Sequence, residues 1–238
     1  EKLGYLEGGS ETLLNAMKES IEKNGGKFRL ETPVSRVKIS KSSVQGVIVN
    51  NEFEAFDKVI CTIPLTYVPK VIPDLPLEIL KQFSEIKSIA VVCVIVKLKK
   101  ALTENFWLNI NDPDMDIPGL VEYTNLRKLD DHVVYVPFYM PGEHPKFSDS
   151  DQVFMNKVEK YLKKINPGLG ENNIIDIRAS RYRYAQPICT PNFLQNLPPI
   201  NLPIEGLWVA DTSYYYPEDR GISESVNLGR KMAKQAII

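Results

Sequence analysis

The stretch Gly206-Leu207-Trp208-Val209-Ala210-Asp211-Thr212 decides how this chain folds. Its unbroken apolar run after a glycine reads as a short buried strand. A tyrosine-rich loop leads from it to Gly221-Ile222-Ser223-Glu224-Ser225-Val226, which opens a helix expected over residues 223–238. Lys58-Val59-Ile60-Cys61-Thr62-Ile63 is a second buried strand, ended by Pro64.

Upstream, Leu13, Leu14, Met17 and Ile21 recur at helical spacing after Gly8-Gly9-Ser10. This predicts an amphipathic helix capped by Ser10 and stopped by Gly25-Gly26. Phe28-Arg29-Leu30 reads as a short strand. Residues 33–39, 44–50 and 52–56 read as antiparallel strands joined by tight polar turns. In the middle of the chain, residues 77–83 form a short helix. Strands are expected over residues 89–98, 121–124, 133–139 and 174–184, with Phe106-Trp107-Leu108 following a short loop and a proline- and aspartate-rich loop at 111–119. A strong helix over residues 150–165 is stopped by Asn166-Pro167-Gly168.

Helix and strand thus alternate at both ends, around a middle rich in antiparallel strands. The layout is α/β (mixed α+β), one domain interrupted by another. The expected divisions are residues 1–63, 64–205 and 206–238. The strands of the first segment, the strand at 59–63 and the strand at 206–210 are expected to share one incomplete sheet.

Composition narrows the partners. Twenty-nine Lys and Arg against thirty Asp and Glu leave a net charge of −1, which supplies no basic surface for nucleic acid. No apolar run approaches the roughly 20 residues that span a bilayer. Three scattered cysteines, Cys61, Cys93 and Cys189, read as reduced thiols of a cytoplasmic protein. With only His132 and His144, no Cys/His zinc pattern can be built. Glu1-Lys2-Leu3-Gly4-Tyr5 has neither an initiator Met nor an apolar leader core, so the chain is expected to begin within a longer protein.

In order and spacing, these segments resemble the superfamily of flavin-containing amine oxidases, protoporphyrinogen oxidases and phytoene desaturases. The segments are Gly8-Gly9 opening a helix, Pro33-Val34-Ser35-Arg36-Val37, the strand ending at Pro64, and Ala210-Asp211-Thr212 before a glycine-started helix. The resemblance covers essentially the whole chain. It implies part of an FAD-binding Rossmann-like domain, interrupted by an antiparallel-sheet substrate domain. It also implies an FAD-dependent oxidoreductase in the intact parent, passing hydride from a small organic substrate to flavin. Other readings are a nucleotide-sugar mutase-like flavoprotein, and a non-catalytic interaction module derived from the same fold.

By the same resemblance, Val34 meets the adenine end of FAD through its backbone. Ala210, Asp211 and Thr212 stand beside the ribityl chain and pyrophosphate, with Asp211 where the family usually has glycine. Gly221, Ile222 and Ser223 bring helix N-terminal amides to the pyrimidine edge of the flavin, where such donors suit developing negative charge. Arg181 and Arg183 on one strand, and Tyr214 and Tyr215 in the loop, are the substrate candidates. Arg220 is expected to pair with Asp219 or Glu218 and fix that loop, which is otherwise expected to be exposed.

The sequence also departs from the family. It contains no Gly-x-Gly-x-x-Gly triplet, the element that wraps the FAD pyrophosphate. The chain by itself is therefore expected not to hold FAD. The strand at 89–98 carries no lysine before Lys97, although many amine oxidases place one there near the flavin. No catalytic residue is assigned.

Overall fold

The computed structural model describes residues 5–237; the reading of residues 1–4 and of Ile238 lies outside them. In chain order the elements are helix α1 (Ser10–Lys23), strands β1 (Val34–Ser40), β2 (Ser43–Val49), β3 (Glu52–Ala55) and β4 (Val59–Cys61), then helices α2 (Val68–Val71) and α3 (Leu77–Glu85). There follow strands β5 (Ser88–Leu98), β6 (Trp107–Asn109), β7 (Gly119–Glu122) and β8 (His132–Pro141), helix α4 (Asp151–Ile165), strand β9 (Ile174–Pro187), helix α5 (Phe193–Asn196), strand β10 (Leu207–Val209) and helix α6 (Ile222–Ile237). Two compact units form, one from described residues up to 30 and residues 90–183, the other from residues 31–89 and the described residues from 184 onward.

In the first unit, a five-stranded sheet has the order β6-β7-β8-β5-β9. Burial alternates along β5 and β8 with the period of two that a sheet covered on one face requires. Val92, Val94, Val96, Val134, Val136 and Phe138 form the covered face. Phe154, Val158 and Leu162, at i, i+4 and i+8 of α4, pack against it. The Phe138 and Phe154 rings meet edge to face, with centroids 5.1 Å apart. Glu122 of β7 is fully buried, and its carboxylate accepts hydrogen bonds from the Leu102 amide (2.8 Å), the Thr103 amide (2.7 Å) and the Thr103 hydroxyl (3.0 Å).

The second unit holds two sheets. The antiparallel sheet β1-β2-β3 turns Val37, Val44, Val47 and Val49 into a core shared with Leu65, Val68, Ile72 and Phe83. Strand β10 pairs in parallel with β4, in the register Leu207 to Val59 and Val209 to Cys61. This parallel pair and β1–β3 are separate sheets, which corrects the expectation of a single one. They are joined where the Val44 amide donates to Glu205 and the Glu205 amide donates to Ser42. Gly206 sits at φ +80, and a Cβ there would meet the Asp57 carbonyl at 2.5 Å, so a glycine must start β10 beside β4. Trp208, Ala210 and Met232 of α6 close a smaller core behind the pair.

The remaining local differences have local causes. Gly9 takes the N-cap position of α1 rather than Ser10, which is already helical. Phe28 and Leu30 are exposed and belong to no strand, and α1 buries none of its own residues. Among the described residues, no helix is long and apolar enough to cross a membrane, and no group of His, Cys, Asp or Glu is placed to hold a metal.

Candidate functional site

Strand β10 delivers its last residues to a joint in the second unit. Ala210 is fully buried, and its amide donates to the Cys61 carbonyl of β4 at 3.1 Å. Next in the chain, the Asp211 carboxylate accepts from the Leu65 amide (2.9 Å) through Oδ2 and from the Ser213 amide (2.8 Å) through Oδ1. One side chain thus ties together the segments that leave both parallel strands. The carboxyl ends of parallel strands are where ligands bind in open α/β sheets. Thr212 is exposed at this edge and begins a turn of 3-10 helix over Thr212–Tyr215.

The loop beyond is tethered along its length. The Tyr214 hydroxyl donates to the Pro198 carbonyl at 2.7 Å. Burial, with the Asp211 charge, pushes the Tyr214 phenol well above its ordinary range. The Tyr215 hydroxyl lies 2.8 Å from Ser225 Oγ, which itself donates to the Gly221 carbonyl at 2.9 Å. Tyr216 is exposed, with its ring set edge-on to Phe193. Arg220 does not pair with Asp219 or Glu218 through its guanidinium, as the sequence suggested. Nη1 donates to the Ala185 carbonyl (2.6 Å) and Nη2 to Gln186 Oε1 (2.8 Å). Only the Arg220 backbone amide meets Asp219, at 2.7 Å. The fork prefers acceptors it can reach with two donors at once.

Gly221 then leads into α6, with Ile222 54% exposed and Ser223 also exposed. The Glu224 carboxylate folds back over Gly221 so closely that a Cβ there would overlap it. An anionic oxygen therefore already lies over this helix start, as the unpaired amides and the positive dipole end favour.

The structure brings Ala210, Asp211, Thr212, Tyr214, Tyr215, Gly221, Ile222 and Ser223 into one strap of the second unit. Val34 is in the same unit but at the start of β1, opposite Val49 in the antiparallel sheet and 40% exposed. Arg181 and Arg183 belong to the first unit, and both are engaged. Arg181 donates to the carbonyls of Phe147 (2.5 Å) and Asp149 (2.6 Å) and to the Asp151 carboxylate (2.5 Å), and lies over the Phe154 ring. Arg183 donates to the Gly142 carbonyl (2.8 Å) and lies over Phe147. They brace β9 rather than standing free on it.

Sequence reasoning missed three polar groups. Glu122 carried a signal, a lone carboxylate in an apolar strand. The tie from Arg220 to Gln186 carried none. The third is a cluster on the sheet face opposite α4, where Tyr123 meets Tyr5 and Arg127.

Solved structures share this fold at low identity. Wild-type putrescine oxidase bound to putrescine aligns with a TM-score of 0.72 and 14% identity, over 97% of this chain and 53% of that one. A protein described as a putative protoporphyrinogen oxidase from Exiguobacterium sp. 255-15 gives 0.65 and 20%, over 86% and 46%. A reduced UDP-galactopyranose mutase gives 0.61 and 11%, over 80% and 42%. The chain spans about half the length of these structures. No curated protein matches the sequence. The sequence itself matches a family over residues 1–189, which ends short of the Asp211 joint. Over that span, four-fifths of its length, the chain belongs to the flavin containing amine oxidoreductase family.

Proposed function

We propose that this chain is part of an FAD-dependent oxidoreductase and supplies the flavin-ring end of its cofactor site. FAD, when bound, would accept hydride from a small organic substrate. The observation that carries the reading is the Asp211 joint at the carboxyl ends of β4 and β10, followed by the tethered strap to Gly221. Asp211 holds the strap in place, and the Gly221–Ser223 amides offer hydrogen bonds to an electron-rich ring edge. Glu224 must swing aside for that edge to approach. Val34 would meet the adenine end through its backbone.

In the same reading, residues 1–63 and 206–238 serve the cofactor and residues 64–205 the substrate. The sheet face opposite α4, with Tyr123 and Tyr135, is the substrate wall. Three unpaired cysteines suit a reducing, cytoplasmic setting.

The test is the visible absorption of the polypeptide that contains this chain, purified without added flavin. A stoichiometric flavin spectrum is expected. In Gly221→Val, whose side chain fills the approach to the helix start, the bound fraction should fall at least tenfold. A colourless parent that leaves the fluorescence of titrated FAD unchanged would end the reading. Residues 1–238 alone, lacking a Gly-x-Gly-x-x-Gly loop, should leave FAD free at micromolar concentration.

A further inference from the structure

On the sheet face opposite α4, three tyrosines from different parts of the first unit meet. The Tyr123 ring stands edge to face against Tyr5 (centroids 5.8 Å) and against Tyr135 of β8 (5.9 Å). The Tyr5 and Tyr123 hydroxyl oxygens are 2.7 Å apart, the distance of a hydrogen bond in which either can donate. Arg127 Nη1 donates to the same Tyr123 oxygen at 3.3 Å. Arg127 lies against Gly9, where a Cβ would come within 2.6 Å of Nη1. The second glycine of the Gly8-Gly9 pair thus leaves room for the guanidinium beside the tyrosine.

We infer that Tyr123 is an acid–base residue, with Tyr5 as the partner that shares its proton and Arg127 as the charge that steadies its phenolate. As an acid, Tyr123 breaks its Oη–H bond and gives the proton to an electronegative atom of a ligand on this face. The phenolate left behind receives hydrogen bonds from Arg127 Nη1 and the Tyr5 hydroxyl. The proton is restored from water through the half-exposed Tyr5. The ligand is of a class with a basic oxygen or nitrogen and an apolar or aromatic body that suits the tyrosine rings.

The charges around the cluster favour this role. The hydrogen bonds from Arg127 and Tyr5 draw the Tyr123 phenol below its ordinary range, against a smaller opposing effect of burial. The hydrogen bond to Tyr123 leads the effects that keep Arg127 charged, and the Glu11 carboxylate of α1 adds to them. Tyr135 is pushed the other way, first by burial and then by its neighbours Tyr123, Cys93 and Tyr5. Neighbouring phenols with opposite shifts accord with an acid–base assignment that the hydrogen bonds to Tyr123 carry.

The role as proton donor to a substrate rests on reading this face as the substrate wall. The acidity and access of Tyr123 do not, so the test reads those. Ring-labelled tyrosine, followed by carbon NMR against pH in the intact polypeptide, resolves the tyrosine titrations, eleven of them from this chain. The signal lost in Tyr123→Phe should be the first to ionise. It should move to higher pH in Arg127→Met, partly return in Arg127→Lys, and move less in Tyr5→Phe. N-acetylimidazole, which transfers its acetyl group to a phenol oxygen and releases imidazole, should label Tyr123 or Tyr5 first, and the preference should vanish in Arg127→Met. Titration of Tyr123 together with the other tyrosines, or early ionisation that survives both Arg127→Met and Tyr5→Phe, overturns the assignment. So does protection of both hydroxyls from the acyl donor. Any of these leaves the flavin reading standing, and a colourless parent leaves the tyrosine titration standing.

Discussion

The sheet of the first unit and the parallel pair of the second solve the same problem with different means. The first has five strands, three of them ten residues or longer, and one continuous core against α4. The second has two strands of three residues each, and Ile60 in one of them is 43% exposed. A parallel pair that small has little hydrogen bonding of its own. It is held by what surrounds it: the Asp211 carboxylate, the glycine at 206, and the helix behind Trp208. Stability is spread through apolar packing in one unit and concentrated in a few polar and backbone devices in the other. The devices sit where the cofactor chemistry is proposed.

The largest expected effect tests the packed unit. Phe138→Ala removes a ring from the interface with α4 and should cost about 3–5 kcal/mol. Hydrogen exchange should show the loss across β5, β8 and α4; a loss below 1 kcal/mol would mean that this core is not the unit's mainstay. Gly206→Ala comes next. A side chain at φ +80, pressed on the Asp57 carbonyl, should cost about 1–3 kcal/mol. Faster exchange of the Val59 and Val209 amides would report it, and an unchanged rate would refute the close approach. Asp211→Ala leaves the Leu65 and Ser213 amides without their acceptor and should cost about 1–2 kcal/mol, read as lost exchange protection at those two amides.

The smallest effect is a pH dependence. Burial works against ionisation of Asp116, but hydrogen bonds from Lys157, Tyr161 and Lys146 outweigh it and hold the carboxyl well below its ordinary range. Its contribution to stability is present above the unfolded value of about 3.9 and is lost as pH falls through the folded value. The partner Tyr161 is pushed up to about 12 by burial and by the hydrogen bond it gives Asp116. That contribution is present below the unfolded value of about 10 and is lost as pH rises through the folded one. Asp116→Asn should flatten both limbs of the melting profile, by a few degrees at most, since the pairs are part-exposed.

Much of this was legible in the sequence, for identifiable reasons. Strands β5 and β8 and helix α4 declared themselves because one buried face imposes a strict period. The strap from Ala210 to Ser223 was legible as an order of residue types. Phe28-Arg29-Leu30 misled because apolar content alone does not make a strand. Arg181 and Arg183 looked available because sequence does not reveal that the carbonyls of Phe147, Asp149 and Gly142 stand opposite them. The Tyr5–Tyr123 contact joins residues 118 positions apart, a separation at which no local pattern survives.

The pairing of β4 with β10 has a consequence for how the chain is made. The Asp211 to Leu65 bond spans 146 positions. Closing a loop of that length costs about 4 kcal/mol beyond a constant term. On a ribosome, β4 emerges long before β10, its parallel partner among the described residues. Until residues 207–209 have left the exit tunnel, the edge of β4 that takes β10 lacks this partner. The antiparallel sheet β1-β2-β3 and the unit built around α4 are complete by then. Synthesis therefore runs through a stage in which these parts are folded and the joint beside the proposed flavin site is still open, and that stage is where a chaperone or an aggregating neighbour would find it.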